Sequence, residues 1–271
     1  MTTPKIITLT TDFGVSSPYI AAMKGVILSV FPEAKIVDIT HGVAPQDIVQ
    51  AAAVVQDVTP FFPPGTVHVI VVDPGVGTGR EILYAEVGSQ CYLFPDNGVL
   101  GPLCETAVPQ RIIAVRNRAL WREPVSHTFH GRDIFAPVAA HLAMGLDAKL
   151  LGDETSPMVK LTVPQPTVAK SRIVGEIRTI DSFGNLITNI HHRHLAGRAT
   201  DTSVCVLLGI YETYGIYRTY GDLPEGAMIA LVGSNGHLEI AVVGDNAAER
   251  LGAEAGQTVT VAWEGWSEHV A

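Results

Sequence analysis

The sequence predicts an α/β protein in two parts. An N-terminal α/β domain on a mainly parallel sheet covers residues 1–163, and a smaller antiparallel β domain covers 171–271, with a linker at 164–170. Three observations predict it. In the first half, short β-branched apolar runs alternate with segments of helical period, the signature of βαβ units. In the second half, short strands separated by turn residues take over, the pattern of a small barrel or sandwich. Between them, "LTVPQPTVAKS" sets two prolines among small and polar residues, which breaks regular structure.

Taken in order, "KIITLTT" reads as a buried strand. "PYIAAMKGVILSVF" follows as a helix with Tyr19, Met23, Val26 and Val30 on one face. The strand "AKIVDIT", a helix from about Asp47 to Val58 and the strand "TVHVIVVD" complete a βαβαβ unit. Shorter strands are expected at "EILYAEV", "CYLFP" and "RIIAVR", and a helix from about Asp133 to Met144 closes the half. Beyond the linker, seven short strands are expected at "RIVGEIRTID", "NLITNI", "SVCVLL", "GIYRTY", "AMIALVG", "HLEIAVV" and "TVTVAW".

Bulk properties exclude several functions. Of 271 residues, 47% are hydrophobic and 17% charged, which supports a packed core rather than a disordered interaction protein. A net charge of -9 without a basic cluster speaks against a nucleic-acid partner. Three cysteines without a Cys-x-x-Cys pair fit neither a disulfide framework nor a zinc ribbon. No apolar run approaches the roughly 20 residues of a membrane span, so a soluble cytoplasmic protein is expected.

"VVDPGVGTGR" resembles a nucleotide-phosphate loop at first sight. The dinucleotide fingerprint needs G-x-G-x-x-G opening a helix, whereas Gly75, Gly77 and Gly79 alternate here and a strand follows. The glycines instead permit a tight excursion that carries Asp73 and Arg80 around the C-terminal edge of a strand, where open α/β sheets bind ligands. The pattern leaves open whether these two residues form a structural ion pair or a site. Asp12, ending the first strand in "TLTTDFG", is either a helix cap or a carboxylate that takes both hydroxyls of a ribose. "HTFHGRD" sets His130 in a turn before a helix, suited to acid/base or water-orienting work. His130 and Asp133 could supply two metal ligands, but no cluster completes the set. "IHHRH" reads as a helix start rather than a zinc site. In "IDSFGNLITNI" and "VGSNGHLEIAV" the polar residues are turn formers by type, yet Phe183 beside Asn185 joins an aromatic face to a bidentate amide, which suits a purine. There is no Gly-x-Ser-x-Gly elbow and no reactive cysteine motif, so covalent catalysis has no support.

Together "TTDFG", "HGVAPQDI", "VVDPGVGTGR", "PDNGVL", "TFHGRDIFAPVAA", "IDSFGNLITNI" and "GSNGHLEIAV" resemble, in order from about Ile6 to Val261, the S-adenosyl-L-methionine hydroxide adenosyltransferases, relatives of fluorinase and chlorinase. The resemblance implies a C-terminal β-barrel and a homotrimer with active sites at subunit interfaces. It implies that Asp73, Arg80 and His130 orient an attacking water and that Asp12 holds the ribose hydroxyls, with Phe129 and Gly131 lining the substrate site. Phe183 and Asn185 would lie against adenine with Asp181 nearby. Ser234, Glu239 and the backbone near Val242 would line the amino-acid end, with Glu239 on the methionine ammonium. Fluorinase-like members carry Tyr, Tyr and Ser at positions 73, 130 and 131, and have a long insertion that this chain lacks. Gln46, Ser17 and Tyr19 depart from the halogenase pattern.

The expected reaction is hydrolysis of S-adenosyl-L-methionine to adenosine and L-methionine by attack at C5′, with no cofactor and no metal. The rivals are a chloride-dependent adenosyltransferase and a non-catalytic adenosine or S-adenosylmethionine sensor.

Overall fold

A computed structural model describes residues 6–155 and 158–263. Lys5, the expected first residue of the opening strand, lies outside them. The chain divides into two compact units that meet in sequence between Val163 and Pro164. Among the described residues, no helix is long and apolar enough to cross a membrane.

The first unit is an α/β sheet with helices. Its elements run β1 (Ile6–Thr11), α1 (Pro18–Val30), β2 (Lys35–Thr40), α2 (Ile48–Val58), β3 (Val67–Val71), β4 (Ile82–Val87), β5 (Gln90–Pro95), α3 (Gly101–Thr106), β6 (Pro109–Ala114) and α4 (Ala136–Ala143). The strand order is β2-β1-β3-β5-β4-β6. The pairs β1/β2, β1/β3 and β3/β5 are parallel, whereas β4 runs antiparallel to both β5 and β6. All five residues of β3 are buried, as an unbroken apolar run in a central strand requires. Exposed Lys35 and Asp38 mark β2 as the charged edge.

Local chemistry sets the helix ends. The Ser17 side chain accepts from Tyr19 N at the start of α1, and Asp47 accepts from Gln50 N at the start of α2. The buried face of α1 is Ile20, Met23 and Ile27, with Val26 and Val30 packed at its flank. The expected face was therefore turned by about one residue, and Tyr19 is exposed. Its ring instead meets Phe13 and Phe129 edge-on, with centroids 5.8 and 4.9 Å away. The last helix starts earlier than expected, through a π-helical turn over Gly131–Phe135 that runs into α4. The short α3 lacked a visible signal because Pro102 and only six residues give no period to read.

The second unit is a nearly closed antiparallel barrel. It contains β7 (Thr167–Val168), β8 (Arg172–Ile180), β9 (Leu186–His191), α5 (His192–Leu195), β10 (Cys205–Leu208), β11 (Tyr211–Tyr214), β12 (Met228–Val232), β13 (His237–Val242), α6 (Ala247–Leu251) and β14 (Thr258–Ala262). The order is β11-β10-β14-β8-β9-β13-β12, with β7 also on β8. β8 bends the sheet, pairing with β14 over residues 172–176 and with β9 over 177–180. The ends approach where Thr213 Oγ1 donates to Met228 O (2.8 Å) and Tyr217 N to Ala230 O (2.8 Å). Ile173, Ile190, Val206, Leu238, Ile240 and Val261 fill the interior.

Two local expectations are corrected. The segment read as a linker carries β7, whose two residues pair with Val174 and Ile173. The strand expected at "GIYRTY" falls on "YETY" instead. Thr219 and Asp222 form a reciprocal cap that winds Tyr220–Asp222 into a 3-10 turn, which ends any strand there. "IHHRH" does open a helix: His191 is the cap of α5 and accepts from Arg193 N.

Candidate active site

The site residues of the first unit gather at the C-terminal edges of β1 and β3. These strands are in parallel register, with Thr11 opposite Val71, so Asp12 and Asp73 leave neighbouring strand ends. Asp12 is not a helix cap, since Ser17 has that role. Its Oδ2 accepts from Gln46 N (2.8 Å), and no hydrogen bond to Oδ1 is found among the described residues. Gln46, whose N–H meets Asp12, has φ +66° and is the one non-glycine residue at positive φ among those described.

The alternating glycines form a loop of two successive turns, closed by Val76 N to Asp73 O (3.1 Å) and Thr78 N to Gly75 O (3.2 Å). Thr78 Oγ1 also donates to Gly75 O (2.6 Å), and Asn97 Nδ2 pins Val72 O (2.8 Å) just upstream. Gly77 has φ +76°, and a Cβ there would overlap the carbonyl oxygen of His127. The loop therefore docks on the segment that carries His130 at a distance only glycine allows. A Cβ on Gly75 would lie 3.2 Å from Arg80 Cγ, so that glycine makes room for the arginine.

The result is one hydrogen-bonded group. Arg80 Nε donates to Asp73 Oδ1 (2.9 Å) and Nη2 to Asp73 Oδ2, a forked pair whose side chains are 11% and 4% exposed. The same Nη2 lies 3.0 Å from His130 Nδ1. Burial, and then the Arg80 charge, push the His130 imidazole below its usual value, against a smaller opposing pull from Asp73 and Asp133. Arg80 and His130 also border a cavity of about 520 Å³, together with Gly77, Thr78 and His127.

His130 is positioned by its neighbours in the chain. A Cβ on Gly131 would come within 3.1 Å of Met23 Sδ, 3.3 Å of Phe129 and 3.4 Å of Val71, so the absent side chain lets the π turn settle against α1 and the end of β3. Phe129 packs edge-on against Phe13 at 5.9 Å, with the Arg132 guanidinium over its ring. Asp133 is wholly buried, and both of its carboxylate oxygens are taken by hydrogen bonds. Its Oδ1 accepts from Arg122 (3.1 Å) and Arg132 (2.7 Å), and its Oδ2 from Arg132 (2.8 Å) and Ser126 N (2.9 Å). Burial alone would raise its pKa, but the bonds from Arg132, Ser126 N and Arg122 outweigh that and lower it.

The six candidates of the second unit line one cavity of about 1110 Å³: Asp181, Phe183, Asn185, Ser234, Glu239 and Val242. Asp181 organises its mouth. Oδ1 accepts from Phe183 N and Asn185 N (both 2.8 Å), and Oδ2 from Asn185 Nδ2 (3.0 Å). This tight turn needs Gly184 at φ +85°, where a Cβ would overlap the Asn246 side chain. It holds Asn185 buried and leaves the Phe183 ring 76% exposed. Glu239, on β13, is buried and accepts a hydrogen bond from Tyr220 OH. Burial raises its pKa, Tyr220 opposes this, and Asp181 adds to the rise. Tyr220, Arg218 and Asn246 also line the cavity and were missed from the sequence. Tyr220 was hidden in a strand assignment, and only the Thr-x-x-Asp cap at 219–222 could have moved it into a turn.

Family models of the SAM hydroxide adenosyltransferase N-terminal domain and C-terminal domain match residues 7–152 and 175–260. The (R)-S-adenosyl-L-methionine hydrolase of Thermus thermophilus is 37% identical over 266 residues, covering 92% of this chain and 96% of the relative. The fluorinase of Actinoplanes sp. is 30% identical over 288 residues, covering 94% and 97%. A crystal structure of a conserved protein from Thermotoga maritima superposes with a TM-score of 0.88 at 38% identity, covering 95% of this chain and 99% of that one.

Proposed function

The chain belongs to the SAM hydroxide adenosyltransferase family, and on that premise we propose that it hydrolyses S-adenosyl-L-methionine to adenosine and L-methionine by in-line attack of water at C5′ of the ribose. The observation that carries this reading is the hydrogen-bonded set of Asp73, Arg80 and His130 beside Asp12, at the sheet edge where α/β proteins take ligands. The sulfonium leaves as a neutral thioether, so no general acid is required. The task is to hold a weak nucleophile opposite the C–S bond at attack distance, and three fixed polar groups supply that orientation. Where a halide enzyme must desolvate and enclose an anion, these groups offer donors and acceptors matched to water.

Asp12 Oδ1, without a hydrogen-bond partner among the described residues, takes the ribose hydroxyls. Phe129 and Gly131 flank His130 at the substrate. Phe183 stacks on adenine, Asn185 pairs with its edge beside Asp181, and Ser234, Glu239 and the Val242 backbone take the amino-acid end. The assembly is a homotrimer whose sites combine the first unit of one subunit with the second unit of a neighbour, and the protein acts in the cytoplasm without a cofactor. These assignments rest on the family resemblance and on the gathering of the residues in each unit.

Incubation with S-adenosylmethionine in oxygen-18 water tests the reaction. Label in the 5′-hydroxyl of adenosine is expected, and unlabelled adenosine would overturn attack at C5′. With chloride added, 5′-chloro-5′-deoxyadenosine as the main product favours the halogenase rival. Tight binding of ligand that stays intact favours a sensor. Light scattering on the eluting protein checks the trimer.

A further inference from the structure

The contact between Arg80 Nη2 and His130 Nδ1, at 3.0 Å, fixes which way the hydrogen bond runs. A guanidinium carries five N–H donors, no acceptor, and keeps its proton in proteins. His130 must therefore accept, and its Nδ1 bears no hydrogen. A neutral imidazole with a bare Nδ1 carries its hydrogen on Nε2. Both ring nitrogens are then spoken for: one lone pair is engaged by Arg80, and the other nitrogen is a donor. A proton could reach this ring only by breaking the Arg80 bond and placing an imidazolium against a guanidinium. Among the described residues, Arg80, Asp73, Asp133 and His127 act on the ring most strongly, and Glu81, Arg116, Arg118 and Glu123 line the same cavity.

Asp73 differs. Each of its oxygens takes one bond from the Arg80 fork, from Nε and from Nη2, and an ionised carboxylate has about four acceptor positions. Among the three groups it alone retains lone pairs.

We propose that Asp73 is the proton acceptor of the reaction and that His130 serves as a hydrogen-bond donor, its Nε2–H holding the water by one lone pair. This rests on the hydrolase reading above. The second lone pair of the water forms the C5′–O bond as the C5′–S bond breaks, and the electrons of that bond return to sulfur to give the neutral thioether of methionine. The proton shed by the oxygen passes to the Asp73 carboxylate and then to solvent. Arg80 keeps both partners aligned and stabilises the carboxylate before the transfer.

Two measurements test it. Nitrogen-15 spectra of histidine-labelled enzyme without substrate at neutral pH, with His130 assigned by its loss in His130→Gln, are expected to show a protonated Nε2 and a bare Nδ1. An Nδ1–H tautomer or an imidazolium overturns the proposal. In turnover, His130→Gln keeps an amide N–H near the Nε2 position but cannot act as a base, and is expected to stay within about 10-fold of wild type. Loss of a general base costs about 10²–10⁴-fold. Asp73→Asn is expected to lose at least about 10²-fold in kcat with KM nearly kept. Asp73→Ser, which also lacks the carboxylate, guards against a folding failure in either variant. If His130→Gln is the crippled one and the Asp73 variants turn over normally, the assignment is wrong. The spectra are read without substrate, so they judge the tautomer separately. A wild-type enzyme that leaves S-adenosylmethionine intact would sink the hydrolase reading instead.

Discussion

Substituting Gly77 by alanine tests whether the glycine loop exists to dock Arg80 on the His130 segment. The new Cβ overlaps the His127 carbonyl oxygen and comes within 3.2 Å of its carbonyl carbon. Restoring ordinary van der Waals separation requires a displacement of about 1 Å. The residue also sits at φ +76°, where an L side chain costs roughly 1–2 kcal/mol. Strain and displacement together should destabilise the first unit by about 2 kcal/mol, a fall in Tm of roughly 4–8 °C. Function should suffer more, because a misplacement of about 1 Å in a positioning element can cost about 10²-fold in rate. The loop contains its own control. Gly79 has no positive φ and nothing within 4 Å of its Cβ position, so Gly79→Ala should be close to silent in both respects. Gly75→Ala, facing Arg80 Cγ at 3.2 Å, should fall between the two. Adenosine release by chromatography and thermal melts on the three variants decide the matter. If Gly77→Ala turns over like wild type, or Gly79→Ala is equally damaged, the docking explanation fails.

Asp133→Ala strips two arginines of a buried partner. Since Arg122 and Arg132 are partly exposed, the cost should be roughly 1–3 kcal/mol rather than the larger penalty of a fully buried pair, with kcat falling as the His130 segment loosens; urea melts and initial rates check both. Phe183→Ala should leave stability within about 0.5 kcal/mol, because the ring is exposed, yet raise KM about 10-fold if the ring stacks on a base. An unchanged KM would remove Phe183 from the site. Acid sensitivity has a definite sign. His68 and His237 are pushed down to about 4 by burial, so the unfolded chain binds more protons than the folded one between that value and 6.5. Stability should be level above pH 6.5 and decline as pH falls towards 4, by up to about 3 kcal/mol from His68 alone. Denaturant titrations across that range should show the slope, and His68→Phe should reduce it, leaving the His237 contribution.

Much of the fold was legible because its signals are periodic. The β-branched runs of β1 and β3 and the helical spacing of α1 and α2 each declare their own geometry. What escaped was decided by single side chains. Thr219 and Asp222 turned an expected strand into a 3-10 turn, and Phe13 and Phe129 drew Tyr19 away from the core face of α1. A two-residue strand such as β7 has no period at all, and exists only because β8 offers it an edge.

The candidate site was legible in its chemical types and illegible in its directions. Residue spelling shows that Asp73, Arg80 and His130 could act together. It does not show that Arg80 bridges the other two, because that depends on a chain separation of 50 residues being closed at the same strand end. The physical cause of that return is the absence of side chains. Gly77 admits the His127 carbonyl, and Gly131 admits Met23, Phe129 and Val71. Each missing Cβ closes a gap that any larger residue would hold open, and the two closures bring the arginine and the histidine to hydrogen-bonding distance. Since the guanidinium can only donate, that distance also sets the hydrogen on the imidazole. Under the proposed mechanism, glycine spacing, an apparent phosphate motif in the sequence, thus controls which group is left to take a proton from water.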